Sequence, residues 1–122
     1  MSPTILIVDD DDVTRAGLTE LLLNAGYQAM SANSLQDGLR ALKEHAPDLL
    51  ITDVRLGAFN GLQLVATSPQ VIPTIVVSGF VDPVVEADAH RLGADYLVKP
   101  IQASVLFERI ERKLDQIGRA HV

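Results

Sequence analysis

Five polar side chains stand at the ends of four short apolar runs. Asp9 and Asp10 follow Ile5-Leu6-Ile7-Val8, Asp53 follows Leu49-Leu50-Ile51-Thr52, Ser78 follows Ile75-Val76-Val77, and Lys99 follows Tyr96-Leu97-Val98. If the runs are parallel strands of one open sheet, all five side chains gather at its carboxyl edge, where open α/β sheets bind ligands. Three carboxylates in one small site repel one another unless a hard divalent cation such as Mg2+ neutralises them. Lys99 and Ser78 would then be left to hold an anion beside the metal.

The remainder of the chain has the periodicity needed to position such an edge. Apolar runs of strand length alternate with stretches of helical period, the βα pattern of a parallel sheet. Leu18, Leu21, Leu22 and Ala25 predict a first helix that begins near Val13, with Asp12 as its N-cap and Gly26 past its end. A strand over Tyr27 to Ala32 leads to Ser34, the N-cap of a helix whose buried stripe is Leu35, Leu39 and Leu42 and which Pro47 ends. After Asp53 a glycine-containing loop, Gly57 to Gly61, precedes a brief helix from Leu62 to Thr67. Pro73 introduces the Ser78 strand. Asp82 and Pro83 read as N-cap and N1 of a fourth helix with Val85, Ala89 and Leu92 inward and Gly93 past its end. A final helix from Ala103 to Ile117 carries Leu106, Ile110, Leu114 and Ile117 on one face. Five strands and five helices of a doubly wound α/β fold result.

Composition narrows the classes of function. At 122 residues and 48% hydrophobic, the chain can bury one core but hardly two, so residues 1–122 are expected to form a single domain with no output domain. It contains no cysteine, which removes disulfides, thiolate catalysis and thiolate metal sites. No signal peptide or membrane-length apolar run is legible, so a cytoplasmic location is expected. The net charge of -6 argues against non-specific nucleic-acid binding, and Asp9 to Asp12 carry four of the negative charges. His45, His90 and His121 have no acid–base partner legible in the sequence and read as solvated side chains.

ILIVDDD at the start, DLLITDVRL around Asp53, IVVSG at Ser78 and GADYLVKP at Lys99, in this order and at this spacing, resemble the receiver domain of bacterial two-component response regulators. The match runs over nearly the whole chain. It implies a flavodoxin-like sheet of order 2-1-3-4-5 and a phosphorylation-controlled signalling switch that is not a turnover enzyme. By resemblance Asp53 is the phosphoacceptor, whose carboxylate oxygen attacks phosphorus to give an acyl phosphate. Mg2+ would be held by Asp10 directly, by Asp9 through water or an outer contact, by Asp53 and by the backbone carbonyl of Arg55. Lys99 would pair with Asp53 and later with the phosphoryl group, after a Lys99-Pro100 peptide expected to be cis. Ser78 would hydrogen-bond a phosphoryl oxygen, and Tyr96 would be an aromatic switch that swings inward when Ser78 moves. The implied partners are a sensor histidine kinase or phosphotransfer protein and a downstream effector protein or output domain, with no nucleic acid or membrane bound by this domain.

Plainer roles compete at each position. A strand-end Asp is often a turn or N-cap residue, Ser78 could be a surface hydroxyl, Lys99 an exposed lysine, and Tyr96 padding for the sheet. Asp11 is read as a solvated loop carboxylate. Asp10-Asp11-Asp12-Val13-Thr14 also fits the D-x-D-x-T pattern of haloacid-dehalogenase-type phosphatases, but the chain lacks their cap insertion and later metal pair. A phosphate-independent binding module is the third alternative. Several positions depart from the receiver pattern: Gly57 replaces a usual proline, and Asn60-Gly61 replaces Asp-Gly. The stretch from Asn60 to Ser78 is about five residues short, which should truncate the third helix. Arg55 and Phe80 are expected to flank the path of a water attacking phosphorylated Asp53.

Overall fold

The structure, a computed structural model, describes residues 2–120, with side chains described through residue 115. His121 lies outside the described residues, and so does the side chain of Ile117.

Strand alternation decides the layers. β1 (Thr4–Val8), β2 (Gln28–Ala32), β3 (Leu49–Asp53), β4 (Thr74–Ser78) and β5 (Asp95–Val98) form one parallel sheet in the order β2-β1-β3-β4-β5. Successive side chains of a strand point to opposite faces, so a strand covered on both sides must be apolar throughout. Ile5, Ile7, Leu49, Ile51, Ile75 and Val77 accordingly pack on one face, against Leu18 and Leu21 of α1 (Asp12–Asn24) and Phe107 and Leu114 of α5 (Ala103–Ala120). Leu6, Val8 and Leu50 pack on the other, against Leu35 and Leu39 of α2 (Leu35–His45) and Leu64 of α3 (Gly61–Thr67). Val76 and Tyr96 continue that face under Val85 and Ala89 of α4 (Pro83–Arg91).

Register then builds the functional edge. Val8 pairs with Thr52, Asp53 with Val77, and Ser78 with Val98, so the residues that end or follow β1, β3, β4 and β5 emerge side by side.

Four local expectations need correction. The N-cap of α1 is Asp11 and not Asp12: Asp11 is extended and its carboxylate accepts from the amide and hydroxyl of Thr14, while Asp12 is the first helical residue and pairs with Arg15. Asp11 is therefore a capping group and more than a solvated loop carboxylate; Thr14, three residues on, offers it two donors at once. Leu92 is not inward. It is the C-cap of α4 and 42% exposed, because Ala94 and Tyr96 already fill the space beneath the helix. Residues after Asp53 form a small antiparallel ribbon, Arg55–Leu56 with Phe59–Asn60, where a loop was expected. Finally, α5 runs three residues past Ile117. The caps at Ser34 and Asp82 and the short α3 are as expected.

The two Thr14 donors hold the Asp11 carboxyl below the usual carboxylate range. A depressed pKa contributes stability above the ordinary value near 3.8 and loses it as pH falls through the folded value. Asp11→Ala should therefore lower the thermal unfolding midpoint at neutral pH, and the gap to wild type should close in acid. A gap that stays constant from about pH 7 to about pH 2.5 would overturn this account.

Candidate functional site

The edge brings Asp9, Asp53 and Lys99 into contact. Lys99 Nζ lies 3.1 Å from Asp53 Oδ2 and 3.6 Å from Asp9 Oδ2. Asp9 is 3% exposed, and its backbone is fixed on both sides: its amide donates to Ala32 O, and Arg15 Nη1 donates to its carbonyl at 2.7 Å. Burial pushes the Asp9 carboxyl above the usual range, the amide of Asp11 at 2.9 Å and the charge of Lys99 act against that, and the charges of Asp53 and Asp10 add to it. Burial alone would pull Lys99 down. The hydrogen bond to Asp53 and the charges of Asp53 and Asp9 outweigh it and hold the ammonium above the ordinary lysine value.

One oxygen each from Asp9, Asp10 and Asp53 lies within 4.8 Å of the others. Three negative groups face one lysine, so two charges are left over, and all donors are hard oxygens. That donor set suits Mg2+ or a similar hard cation. Asp10 is exposed, and its Oδ2 accepts from the Gly57 amide at 2.9 Å; the Arg55 amide donates to Asp53 Oδ1 at 3.3 Å. Beside the acids a cavity of about 490 Å3 is walled by Leu18, Ile51, Val77 and Ile101. Such apolar walls keep water back and strengthen each electrostatic contact at the mouth.

Ser78 and Tyr96 lie at the same edge but are bound elsewhere. Ser78 Oγ donates to Phe80 O at 2.8 Å and accepts from Phe80 N at 3.1 Å. Tyr96 is already inward, 8% exposed, and its hydroxyl donates to the same Phe80 carbonyl at 2.6 Å while accepting from Asp82 N. The Lys99 amide donates to Ser78 O at 2.8 Å, and the Lys99-Pro100 peptide is cis. Arg55 and Phe80 touch each other: the guanidinium carbon sits 5.0 Å from the ring centroid, a cation–π contact. His45 and His90 fall on α2 and α4, away from these groups in the fold.

Sequence reasoning missed Gly61 as a site residue. A Cβ at Gly61 would stand 1.9 Å from the Asp53 carbonyl oxygen, so the start of α3 rests directly on the backbone of Asp53. The signal was present in Asn60-Gly61-Leu62-Gln63. Asn60 accepts from Leu62 N and its amide donates to Gln63 Oε1, a capping box that sets Gly61 as the first helical residue.

Comparison with known proteins agrees with this geometry. The response regulator receiver domain family matches residues 5–111. The chain is 34% identical over 116 residues to the transcriptional regulatory protein AfsQ1 of Streptomyces coelicolor, covering 92% of this chain and 51% of the relative. It is 33% identical to the response regulator protein FleR of Pseudomonas aeruginosa, covering 92% of this chain and 24% of FleR. The chain thus spans about half the length of the first relative and about a quarter of the second. Among solved structures it is similar to a CheY-like response regulator receiver domain protein from Methanospirillum hungatei, with a TM-score of 0.92, 27% identity and coverage of 98% and 99% of the two chains. The chain belongs to the response regulator receiver domain family, and its sheet has the flavodoxin-like order 2-1-3-4-5. Members of this class are signalling domains and not enzymes acting on an independent substrate. No helix of the described residues is long and apolar enough to cross a membrane.

Gly61 gives a direct test of the contact between α3 and Asp53. Gly61→Ala should cost at least about 2 kcal/mol in urea or thermal unfolding, since a methyl group would have to displace the backbone of Asp53. A variant with the wild-type midpoint would mean that α3 does not rest on that carbonyl.

Proposed function

We propose that Asp53 accepts a phosphoryl group from the phosphohistidine of a sensor kinase or phosphotransfer protein, or from a small acyl phosphate, in a Mg2+-dependent reaction in the cytoplasm. The observation that carries this reading is the Asp53 carboxylate held 3.1 Å from Lys99 among the oxygens of Asp9 and Asp10. Asp10 and Asp53, with the carbonyl of Arg55 and the outer help of Asp9, would hold the cation. When bound, it offsets charge on the attacking and transferred oxygens.

The chain's own residues do the rest. An Asp53 oxygen attacks phosphorus in line, the new P–O bond forms as the donor's P–N or acyl P–O bond breaks, and the donor leaves with the bonding pair. Lys99, kept cationic by its two carboxylates, moves its charge onto the phosphoryl oxygens once Asp53 is esterified. Ser78 exchanges its bond to the Phe80 carbonyl for a phosphoryl oxygen. That exchange frees one of the two donors on Phe80 O, leaving Tyr96 to hold it, and the Phe80 loop shifts. The altered surface around α4, β5 and α5 then meets an effector protein or an output domain elsewhere in a longer regulator. The residues described here form the receiver module.

Intact mass after incubation with Mg2+ and acetyl phosphate or phosphoramidate should show a gain of one phosphoryl group. The gain should vanish in Asp53→Ala and on chelation of the metal. Wild type that binds Mg2+ yet never gains mass from a small donor or a phosphorylated kinase would favour a phosphate-independent binding module instead.

The Arg55–Phe80 contact adds a second expectation. We infer that the paired side chains, two residues beyond Asp53 and Ser78, screen Asp53 from water, so an Arg55→Ala, Phe80→Ala double variant should lose its phosphoryl group several-fold faster than wild type, a barrier lower by about 1 kcal/mol. Unchanged phosphate lifetime in the double variant would remove the idea.

A further inference from the structure

We propose that the backbone amide of Gly57 is a positioning group for the cation site, tying Asp10 to the Arg55–Asn60 ribbon so that metal occupancy and ribbon conformation are coupled. The inference rests on the reading of Asp10 as a cation ligand and goes beyond it.

The three acids are not held alike. Asp9 is buried and fixed by the Asp11 amide and Lys99, and Asp53 by the Arg55 amide and Lys99. Asp10 is exposed, and among the described residues its carboxylate makes one hydrogen bond, from Gly57 N to Oδ2 at 2.9 Å across 47 residues of sequence. A carboxylate offers about four lone-pair directions, so this bond fixes the group while leaving room for a cation. Outer hydrogen bonds of this kind orient metal ligands.

The ribbon leaves this amide free to do so. Gly57 and Ala58 are the two turn residues between Leu56 and Phe59, and Gly57 has φ +62°, the left-handed value that the first position of a tight hairpin turn requires. The ladder pairs Arg55 with Asn60 and Leu56 with Phe59, which leaves the Gly57 N–H pointing outside it. The same ribbon begins at Arg55, which stacks on Phe80, whose carbonyl receives the hydroxyls of Ser78 and Tyr96. Asp10, the ribbon and the Ser78 loop are therefore joined by consecutive contacts, and Gly57 is the link on the metal side.

The test uses the full 122-residue chain labelled with 15N and 13C. Without metal, a through-hydrogen-bond coupling should appear between the Gly57 nitrogen and the Asp10 carboxylate carbon. Titration with MgCl2 should shift the Gly57 amide along the same saturation curve as Asp10. Replacing the Leu56–Gly57 amide by an ester through semisynthesis removes the N–H while keeping the glycine at φ +62°, and should lower Mg2+ affinity about 10-fold or more. An ester analogue that binds Mg2+ as tightly as wild type would overturn the positioning role. A wild type that binds Mg2+ while Gly57 shows no coupling and no shift would overturn the inference alone. A wild type that binds no Mg2+ would overturn the reading of Asp10 and the inference with it.

Discussion

Three carboxylates held against one lysine are the constraint on which the rest of this structure depends. Asp9, Asp10 and Asp53 leave two negative charges uncompensated after Lys99, and Asp9 carries its share almost without access to water. An isolated loop could not keep such groups together, because repulsion and desolvation would spread them. A parallel sheet can, since its strand ends are set by ladder pairing and by apolar packing on both faces. Ile5, Ile7, Leu49 and Ile51 on one side, with Leu6, Val8 and Leu50 on the other, anchor the acids from behind. The large apolar core and the strained polar edge are thus two halves of one design. The edge keeps its charge imbalance because the core prevents relaxation, and under the proposed function a cation and a phosphoryl group would relieve it.

Near that edge several contacts converge on one residue. Phe80 O receives both Ser78 Oγ and Tyr96 Oη, and the Phe80 ring lies against Arg55, two residues beyond Asp53. A ligand shifts a conformational equilibrium only as far as it interacts differently with the two states. The Ser78 hydroxyl meets that condition, since it cannot serve its own loop and an oxygen on Asp53 at the same time. Tyr96 is buried with its hydroxyl on Phe80 O, so under the proposed function a change at Ser78 would reach Tyr96 through the acceptor the two share.

Most of this was legible in the sequence where the signal is local and repeated. Strands buried on both faces announce themselves as continuous apolar runs, and the polar residue ending each run marks the edge, so the grouping of Asp9, Asp10, Asp53 and Lys99 follows from a local pattern. The helix caps at Ser34 and Asp82 were legible for the same reason. Asp11 was harder to read, because four consecutive aspartates offer four candidate caps and only the hydroxyl of Thr14, three residues on, breaks the tie. Leu92 fits the helical stripe of α4 but is displaced by Ala94 and Tyr96, a competition for volume that periodicity does not contain. The Arg55–Phe80 stack and the Tyr96 bond to the Phe80 carbonyl join residues distant in sequence, and no local pattern encodes them; the capping box at Asn60 marks Gly61 as the start of α3 but not its contact with the Asp53 carbonyl.

The departures of this chain from the receiver pattern fall together, between Asp53 and the end of α3. Here α3 is only seven residues long, a helix too short to be stable without tertiary contacts. Its first residue, Gly61, sits against the Asp53 carbonyl, and the preceding ribbon reaches Asp10 through Gly57 and Phe80 through Arg55. So short a helix depends on the capping box at Asn60 and on its tertiary anchors, the buried Leu62 and Leu64. Among the described residues the shortest helix is thus also the one joined, directly or through the ribbon, to Asp53, Asp10 and the Phe80 segment. Even so short, α3 seals its sheet face, since Leu64 and the strand residues Leu6, Val8 and Leu50 beneath it are buried, and the polar contacts of the ribbon tie that packing to the acidic edge.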